Sequence, residues 1–404
     1  MQIEHLFAPA RSSILALGNV TGAQNVDVST AGVITATVTG NWTPTFTNQP
    51  SSGQAQGVVL RITNGGAFTI TWPTINWTGL GTTPVLAVSG TDEISLLFLG
   101  GTAIDGVYVG QVANPPQAEI WTSRTATPSR NWQGVTYGNG LFVAVAGSGT
   151  GNRVITSPDG ITWTNRVSPA DNNWQGVTYG NGLFVAVATD GANQVMTSPD
   201  GITWTSRTAA SANQWVSVTY GNGLFVAVAY NGGTASVMTS PDGITWTGRT
   251  AASAAWWRSV VYGNGLFVAV AGGGTGDRVM TSPDGITWTL RTAASAANWQ
   301  AVTYGNGLFV AVAIAGGTSP VMTSADGITW TLRTVTPNRN WYGVTCGNGL
   351  FVAVAQDGTD RVITSPDGIT WTNRTSPAAG WESVTYGNGL FVAVGFGGAI
   401  MTAV

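Results

Sequence analysis

From Trp132 to the last residue, apolar and polar positions alternate in short runs that stop at the same turn signals again and again. One unit reads WQGVTY, then GNG, then LFVAVA, a variable stretch, RVITS, PDG and ITWTNRT. The runs are rich in Val, Thr, Phe and Trp and alternate with period two, which predicts half-buried β-strands. Asn-Gly and Asp-Gly supply the positive φ values that tight hairpins need. Each unit therefore predicts four strands, A to D. The Gly-Asn-Gly turns start at Gly138, Gly180, Gly221, Gly263, Gly305, Gly347 and Gly387, spacings of 42, 41, 42, 42, 42 and 40 residues. A fixed period near forty residues, made of short strands, predicts the blades of a β-propeller.

The two ends of the repeat region are complementary. Before the first strand A stands a lone strand D, EIWTSRT from Glu119 to Thr125, and the last unit stops after strand C with AIMTAV, Ala399 to Val404. Joining them completes a seventh blade and removes exposed sheet edges. Trp132, Trp174, Trp215, Trp257, Trp299, Trp341 and Trp381 recur in strand A, and Arg124, Arg166, Arg207, Arg249, Arg291, Arg333 and Arg374 recur in strand D. Residues present in every blade are read as packing or hydrogen-bonding elements. Cys346, which stands where the other units have Tyr, is read as an inert structural thiol.

Residues 1–112 lack this repeat. They carry VDVST, VITATVTG, GVVLRITNGG, PVLAVSG, DEISLLFLGG and DGVYVGQV at roughly even spacing, which predicts a β-sandwich-like domain. Residues 113–118 read as a linker stiffened by Pro-Pro, and 119–404 as the propeller. The fold class expected is all-β: a sandwich-like N-terminal domain followed by a seven-bladed propeller.

Two resemblances rest on these residues. SPDGITW, found in near-identical form from Ser157, Ser198, Ser240, Ser282, Ser324 and Ser365, resembles the Asp-box of sialidase-like propellers, though with one residue fewer between Asp and Gly. In those proteins the box is a structural clip. The span Val58–Gly110, with ITWP, the following W-x-G, a Thr-Asp before an apolar strand and a closing GVY, resembles a β-domain of tail-fibre and other virion proteins of tailed phages. The whole repeat also looks like repeats of bacterial and phage surface proteins. The resemblance implies a virion protein assembled in the host cytoplasm: a tail fibre, a receptor-binding protein, or a capsid decoration or head fibre. It implies contact with other virion proteins through the N-terminal domain, and a homo-oligomer, with a trimer expected. The alternatives are a bacterial cell-surface adhesin and, more remotely, a sialidase-like glycoside hydrolase.

Composition narrows the chemistry. The chain has 404 residues, 56 of them Gly and 18 Trp, and a formal charge of −3, with all 15 basic residues Arg. No broad basic field exists for a nucleic acid, and no run of apolar residues is long enough for a helical membrane span. The start, MQIEHLFAPARSSIL, lacks the basic and apolar regions of a secretory signal, so none is expected. No phosphate-binding, zinc-protease or C-x-x-C motif is present, and the single histidine, His5, precedes the propeller. Asp159, Asp200, Asp242, Asp284, Asp326 and Asp367 belong to turns, and Glu119 and Glu382 are the only Glu residues of the repeat region. No catalytic residue, cofactor or metal is therefore expected. QDGTDR at Gln356 and TDGAN at Thr189 place carboxylates near Gly but lack the ligand set of a calcium loop, and read as solvated loops.

Strand directions alternate within a blade, so the A–B and C–D turns share one face and the B–C and D–A loops share the other. The first face is nearly invariant; the second carries the variation. Recognition by loops on a rigid scaffold points to that second face, for a host-surface glycan or protein. The candidate ligand-binding residues are Trp256, Arg258, Tyr230, Tyr342, Arg339 and Arg278: Trp256 is extra beside the repeated Trp257, and Tyr342 stands where other blades have Gln133, Gln175 or Gln300. Aromatic faces stack on sugars or enter protein pockets, and Arg adds planar hydrogen bonding.

Overall fold

A computed structural model describes residues 14–404 except 30–31, 52–53, 64, 78–82, 85, 87–90, 100–103, 113–119, 127–128, 274–277, 315–319 and 336–337. His5 and the expected linker lie outside the described residues. The chain divides into two compact units, Met1–Pro115 and Pro116–Val404.

The N-terminal unit is one mixed sheet of β1 (Ile14–Asp27), β2 (Val33–Thr47), β3 (Gln56–Thr63), β4 (Asn76–Trp77), β5 (Thr91–Phe98) and β6 (Ile104–Val112). Its order is β1-β2-β3-β5-β6-β4. β1 runs parallel to β2 with Ile14 opposite Val33 and Asp27 opposite Thr47. The link from Asp27 to Val33 can reach only about 20 Å, whereas a straight strand of that length would span about 40 Å. β1 must therefore turn back on itself. It does so at Gly18 and Gly22, whose φ values are +68° and +67°, and where the register with β2 shifts. Both halves of β2 consequently face one core: Ile34, Ala36 and Val38 from the first, Trp42 and Phe46 from the second, packed with Leu60, Ile94 and Phe98. Among the described residues the unit is one bent sheet, without the second sheet that a sandwich-like reading expects.

The second unit is a ring of seven four-stranded antiparallel sheets. In the second blade the strands are Trp174–Gly180, Leu183–Ala188, Val195–Ser198 and Thr205–Arg207. The last blade takes its outer strand from β7 (Thr122–Thr125), which pairs with Ala399–Ala403 in the register Ala399–Thr125 to Thr402–Thr122. The ring is thus closed by non-covalent pairing of its two ends, as the matched fragments predict. Each GNG turn places its Asn and second Gly at positive φ, 48° and 75° at Asn139 and Gly140. The strand-A tryptophans are fully buried. The first Gly of each GNG lies against the next blade: a Cβ on Gly138 would meet Tyr179 Cγ at 2.2 Å, and one on Gly387 would meet Tyr137 Cγ at 2.1 Å.

Strand D is shorter than its sequence pattern predicts. Ile161, Thr162 and Trp163 belong to the turn because Asp159 Oδ1 accepts hydrogen bonds from the N–H groups of Ile161 and Thr162 and from Ser157 Oγ, each at 2.8 Å. Trp163 Nε1 donates to Gly160 O at 3.0 Å. The same clip forms at Asp200, Asp242, Asp284, Asp326 and Asp367. The backbone donors hold the Asp carboxyls below their ordinary range, to about 2 at Asp326. The seven repeated strand-D arginines share one role as well: each donates from Nε to a strand-C Thr Oγ1, from Arg166 to Thr156 at 2.9 Å and, across the closure, from Arg124 to Thr402 at 2.9 Å.

Candidate functional site at the channel mouth

The inner strands A surround a central channel. Its mouth, at the end of these strands nearest the D–A loops, opens into a cavity of about 200 Å³. Three tiers line it. The residues just after the strand-A Trp form the outermost: Gln133, Gln175, Val216, Arg258, Gln300, Tyr342 and Glu382. The next tier is small, Gly, Ser or Ala, and the third is Val from six of the seven blades, Val135, Val177, Val218, Val302, Val344 and Val384. A register shift follows every one of these tryptophans, for instance between Trp257 and Ser259. This bulge frees the residue after Trp from the ladder and re-aims it. The lower tiers are fixed by packing. The outer tier differs from blade to blade and holds the only charged residues of the lining, Arg258 and Glu382.

Arg258 sits among aromatic groups. Its guanidinium carbon lies 3.9 Å from the centroid of the Tyr230 ring, and Tyr230 packs on Trp256 with ring centroids 5.3 Å apart. Trp256 in turn covers the backbone of Gly273, where a Cβ would come within 2.5 Å of the ring. It remains 48 % exposed. Burial pulls the Arg258 guanidinium below its ordinary value, opposed by Tyr230, Tyr342 and Glu382; an arginine still keeps its charge. Its Nε is buried without a hydrogen-bond partner among the described residues.

Glu382 accepts a hydrogen bond from Gln356 Nε2. Burial pushes its carboxyl up to about 7 against the opposing effects of Gln356 and Arg258. Arg258 and Glu382 make no ion pair within 4.0 Å; the two formed among described residues are Arg61–Glu93 and Arg153–Asp171. Tyr342 is raised by burial first and then by Glu382. The lining therefore holds a cation, a carboxyl poised near neutrality and three Gln amides, and Tyr230 and Trp256 adjoin it behind Arg258.

Of the six candidate residues, the structure links Trp256, Tyr230 and Arg258 in one chain of contacts and sets Tyr342 in the same lining as Arg258. Arg278 and Arg339 are not among the residues lining the cavity. Arg278 Nη1 donates to Ala297 O at 2.5 Å, tying a B–C loop to a D–A loop, as Arg153 does with Asn172 O at 2.6 Å. Arg339 lies flat on Gly358, where a Cβ would fall 1.2 Å from its Nη1; Arg130 occupies the equivalent place on Gly149 and donates to Thr150 O at 3.0 Å. Arg130, Arg153 and Arg278 thus tie loop backbone together. Glu382 and Gln356 are absent from the sequence candidates. Comparing the position after Trp across all blades would have found Glu382, the one acidic residue in that series.

No protein-family model and no curated protein sequence matches the chain. Solved structures do resemble it. A streptogramin B lyase aligns over 70% of this chain and 97% of its own, with a TM-score of 0.62 at 13% identity. The virginiamycin B lyase of Staphylococcus aureus aligns over 70% and 99%, also with a TM-score of 0.62 and 13% identity. YCF48 from Cyanidioschyzon merolae covers 70% and 98% with a TM-score of 0.54 at 15% identity. At such identities the likeness is one of fold: the second unit is a seven-bladed β-propeller.

Proposed function

We propose that the chain is a non-catalytic recognition protein of a tailed-phage virion, attached to other virion proteins by its N-terminal unit and binding a host-surface glycan or protein with the variable-loop face of its propeller. The observation that carries the recognition part is the outer tier of the channel mouth. Every other tier repeats around the ring, whereas this one places Arg258, Tyr342 and Glu382 on an otherwise uniform scaffold. The virion part rests on the resemblance of Val58–Gly110 to phage β-domains. On the same ground the full chain is a trimer, so light scattering should give about three times the 41.6 kDa of one chain; a monomer counts against the assembly.

Enzymes share this fold, so catalysis is the competing reading. One similar structure is a catalytically inactive His-to-Ala variant of a lyase, solved with quinupristin; residues 119–404 here contain no histidine. Tyr342, Glu382 and Arg258 share one lining, which is the observation favouring a sialidase-like hydrolase. Against it, the lining offers one Arg and one carboxyl, where sialidase chemistry uses a cluster of arginines and an acid in addition to a Tyr–Glu nucleophile pair. The recognition reading is tested by adsorption of the purified protein to host-range panels of bacterial cells. Trp256→Ala should reduce adsorption, and a change in a GNG turn should not. The reverse pattern would place recognition elsewhere. Release of the fluorophore from methylumbelliferyl glycosides would revive the hydrolase.

A further inference from the structure

We propose that the channel mouth is a receptor for one carboxylate-bearing pyranose, its carboxylate held by Arg258 and its ring bordered by the Tyr230–Trp256 shelf, with Glu382 as a protonation gate. The proposal deepens the recognition reading and depends on it. Its starting point is a mismatch of charge and contact. Arg258 carries a fixed positive charge in a partly desolvated place, yet Glu382, the only anionic group in the lining, forms no ion pair with it. The guanidinium is instead placed over a ring face, and its Nε has no partner among the described residues. A guanidinium that lines a cavity, with its buried Nε unpartnered among the described residues, suits a carboxylate. The other lining groups point to what carries it. Gln133, Gln175 and Gln300 supply amides that both donate and accept, as vicinal hydroxyls require, and Gln300 Oε1 is itself buried without a partner. Outside the lining, and joined to Arg258 through Tyr230, Trp256 offers an exposed aromatic face. The cavity, about 200 Å³, is below the roughly 300–1,000 Å³ typical of drug-sized sites, so it suits a single ring and not a chain of sugars.

The gate follows from the groups facing Glu382. Gln356 of the preceding blade donates to it, and Arg258 attracts its charge weakly from across the mouth. Tyr342 lies beside it, with Asp357 behind Tyr342. Among the described residues Arg258 is the only cation acting on it. Once ionised, Glu382 repels an incoming carboxylate and offsets the field of Arg258; protonated, it becomes a donor. With its carboxyl near 7, acid favours binding.

Isothermal titration with D-glucuronate and with D-glucose, using the full chain, tests this. If only the protonated form binds, raising the pH from about 5.5 to about 8 weakens glucuronate about tenfold. Glucose should bind far more weakly and without that dependence. Arg258→Gln should abolish the preference for glucuronate. Glu382→Gln should keep it and flatten the pH profile. Thermal melts establish that each variant is folded, and because the two variants move different readouts, failure of one leaves the other decisive. No glucuronate binding, equal binding of glucose, or a preference that survives Arg258→Gln overturns the proposal. Binding of a short peptide through its C-terminal carboxylate in place of glucuronate overturns it too. If those results coincide with adsorption still lost in Trp256→Ala, the ligand class is wrong and the recognition face stands; if adsorption is also unaffected, both fall.

Discussion

Tyr230, the first residue after strand B of the third blade, lies under the guanidinium of Arg258, the residue after the strand-A Trp of the fourth, at 3.9 Å. Gln356 and Glu382 occupy the same two positions in the sixth and seventh blades and are hydrogen-bonded. The two pairs share one geometry: the residue that leaves strand B meets the residue that follows Trp in the next blade. Gly272 does not follow it; it lies against Arg258 of its own blade, whose Cγ and Nε are both 3.2 Å from where its Cβ would stand. Replacing Tyr230 by Ala should cost about 1–2 kcal/mol, because a partly desolvated cation loses its aromatic partner. Tyr230→Phe, which keeps the ring, should stay within about 0.5 kcal/mol. Denaturant unfolding of the two variants separates the outcomes; equal loss in both would mean that the ring face contributes nothing.

The Asp clips hold turns. Asp242 Oδ1 accepts from Ser240 Oγ at 2.8 Å, Ile244 N at 2.8 Å and Thr245 N at 2.9 Å. Asp242→Ala leaves two backbone donors to solvent on an exposed turn, so the cost should be about 1–2 kcal/mol, with adsorption unchanged at matched folding. Loss of adsorption at full stability would move recognition to the turn face.

The same carboxyls predict acid lability. Backbone N–H donors from Thr329 and Ile328 hold Asp326 at about 2 in the folded state, against about 3.9 in an unfolded chain. A lowered folded value means that the unfolded state binds more protons. The contribution is complete above about pH 4 and disappears as the pH falls toward 2. All six clips shift in this direction. Because they are largely exposed, solvent screening limits the sum to on the order of a few kcal/mol. A melting temperature that is flat from about pH 5 to 2 would contradict this.

Much of this architecture can be read from the chain, for a reason visible in particular residues. Gly-Asn-Gly and the paired tryptophans state one local solution seven times, and the Asp-Gly turn states it six times, so the blade and its closure by β7 follow from counting. Period two predicts the N-terminal strands but not their partners. That β1 pairs in parallel with β2 depends on bends at Gly18 and Gly22, which alternation does not encode. At the site, the sequence candidates include Arg258, Arg278 and Arg339, and only the structure shows that Arg258 alone of the three lines the cavity, while Arg278 donates to Ala297 O and Arg339 lies on Gly358. Glu382 shares the post-Trp position of Arg258, and its place in the lining becomes visible only with the bulge that re-aims that position.

Closure predicts a specific weakness. Ile400 pairs with Arg124 and Met401 with Ser123 in the last blade, and no other strand pairs with Ala399–Ala403 on that side. Deleting residues 119–125 leaves an apolar edge strand open, which invites pairing between chains. The expected outcome is a lower melting temperature and association detectable by sedimentation velocity. Arg124→Ala removes only the bond to Thr402 Oγ1 and should cost about 1 kcal/mol without association. A monodisperse deletion variant of unchanged stability would mean that the ring does not need its outer strand.

Glu382 should make the propeller less stable as the pH rises through neutrality, opposite in sense to the Asp clips. Its carboxyl, pushed from 4.5 to about 7 by burial, is protonated in the folded ring while the unfolded chain has already lost the proton. Between about pH 4.5 and 7 the folded state therefore binds more protons, and stability falls with increasing pH. Above about 7 the folded group also ionises and the loss levels off. Arg258 offsets part of the effect by attracting the charge, so the contribution is on the order of 1–2 kcal/mol across that window. Glu382→Gln keeps a side chain that can hydrogen-bond Gln356 but cannot ionise. Denaturant melts at about pH 5 and about pH 8 should show the wild type losing stability between them and the variant losing less. If the difference between the two pH values is the same in both proteins, Glu382 is not held in its neutral form by the ring, and the gate at the channel mouth loses its physical basis.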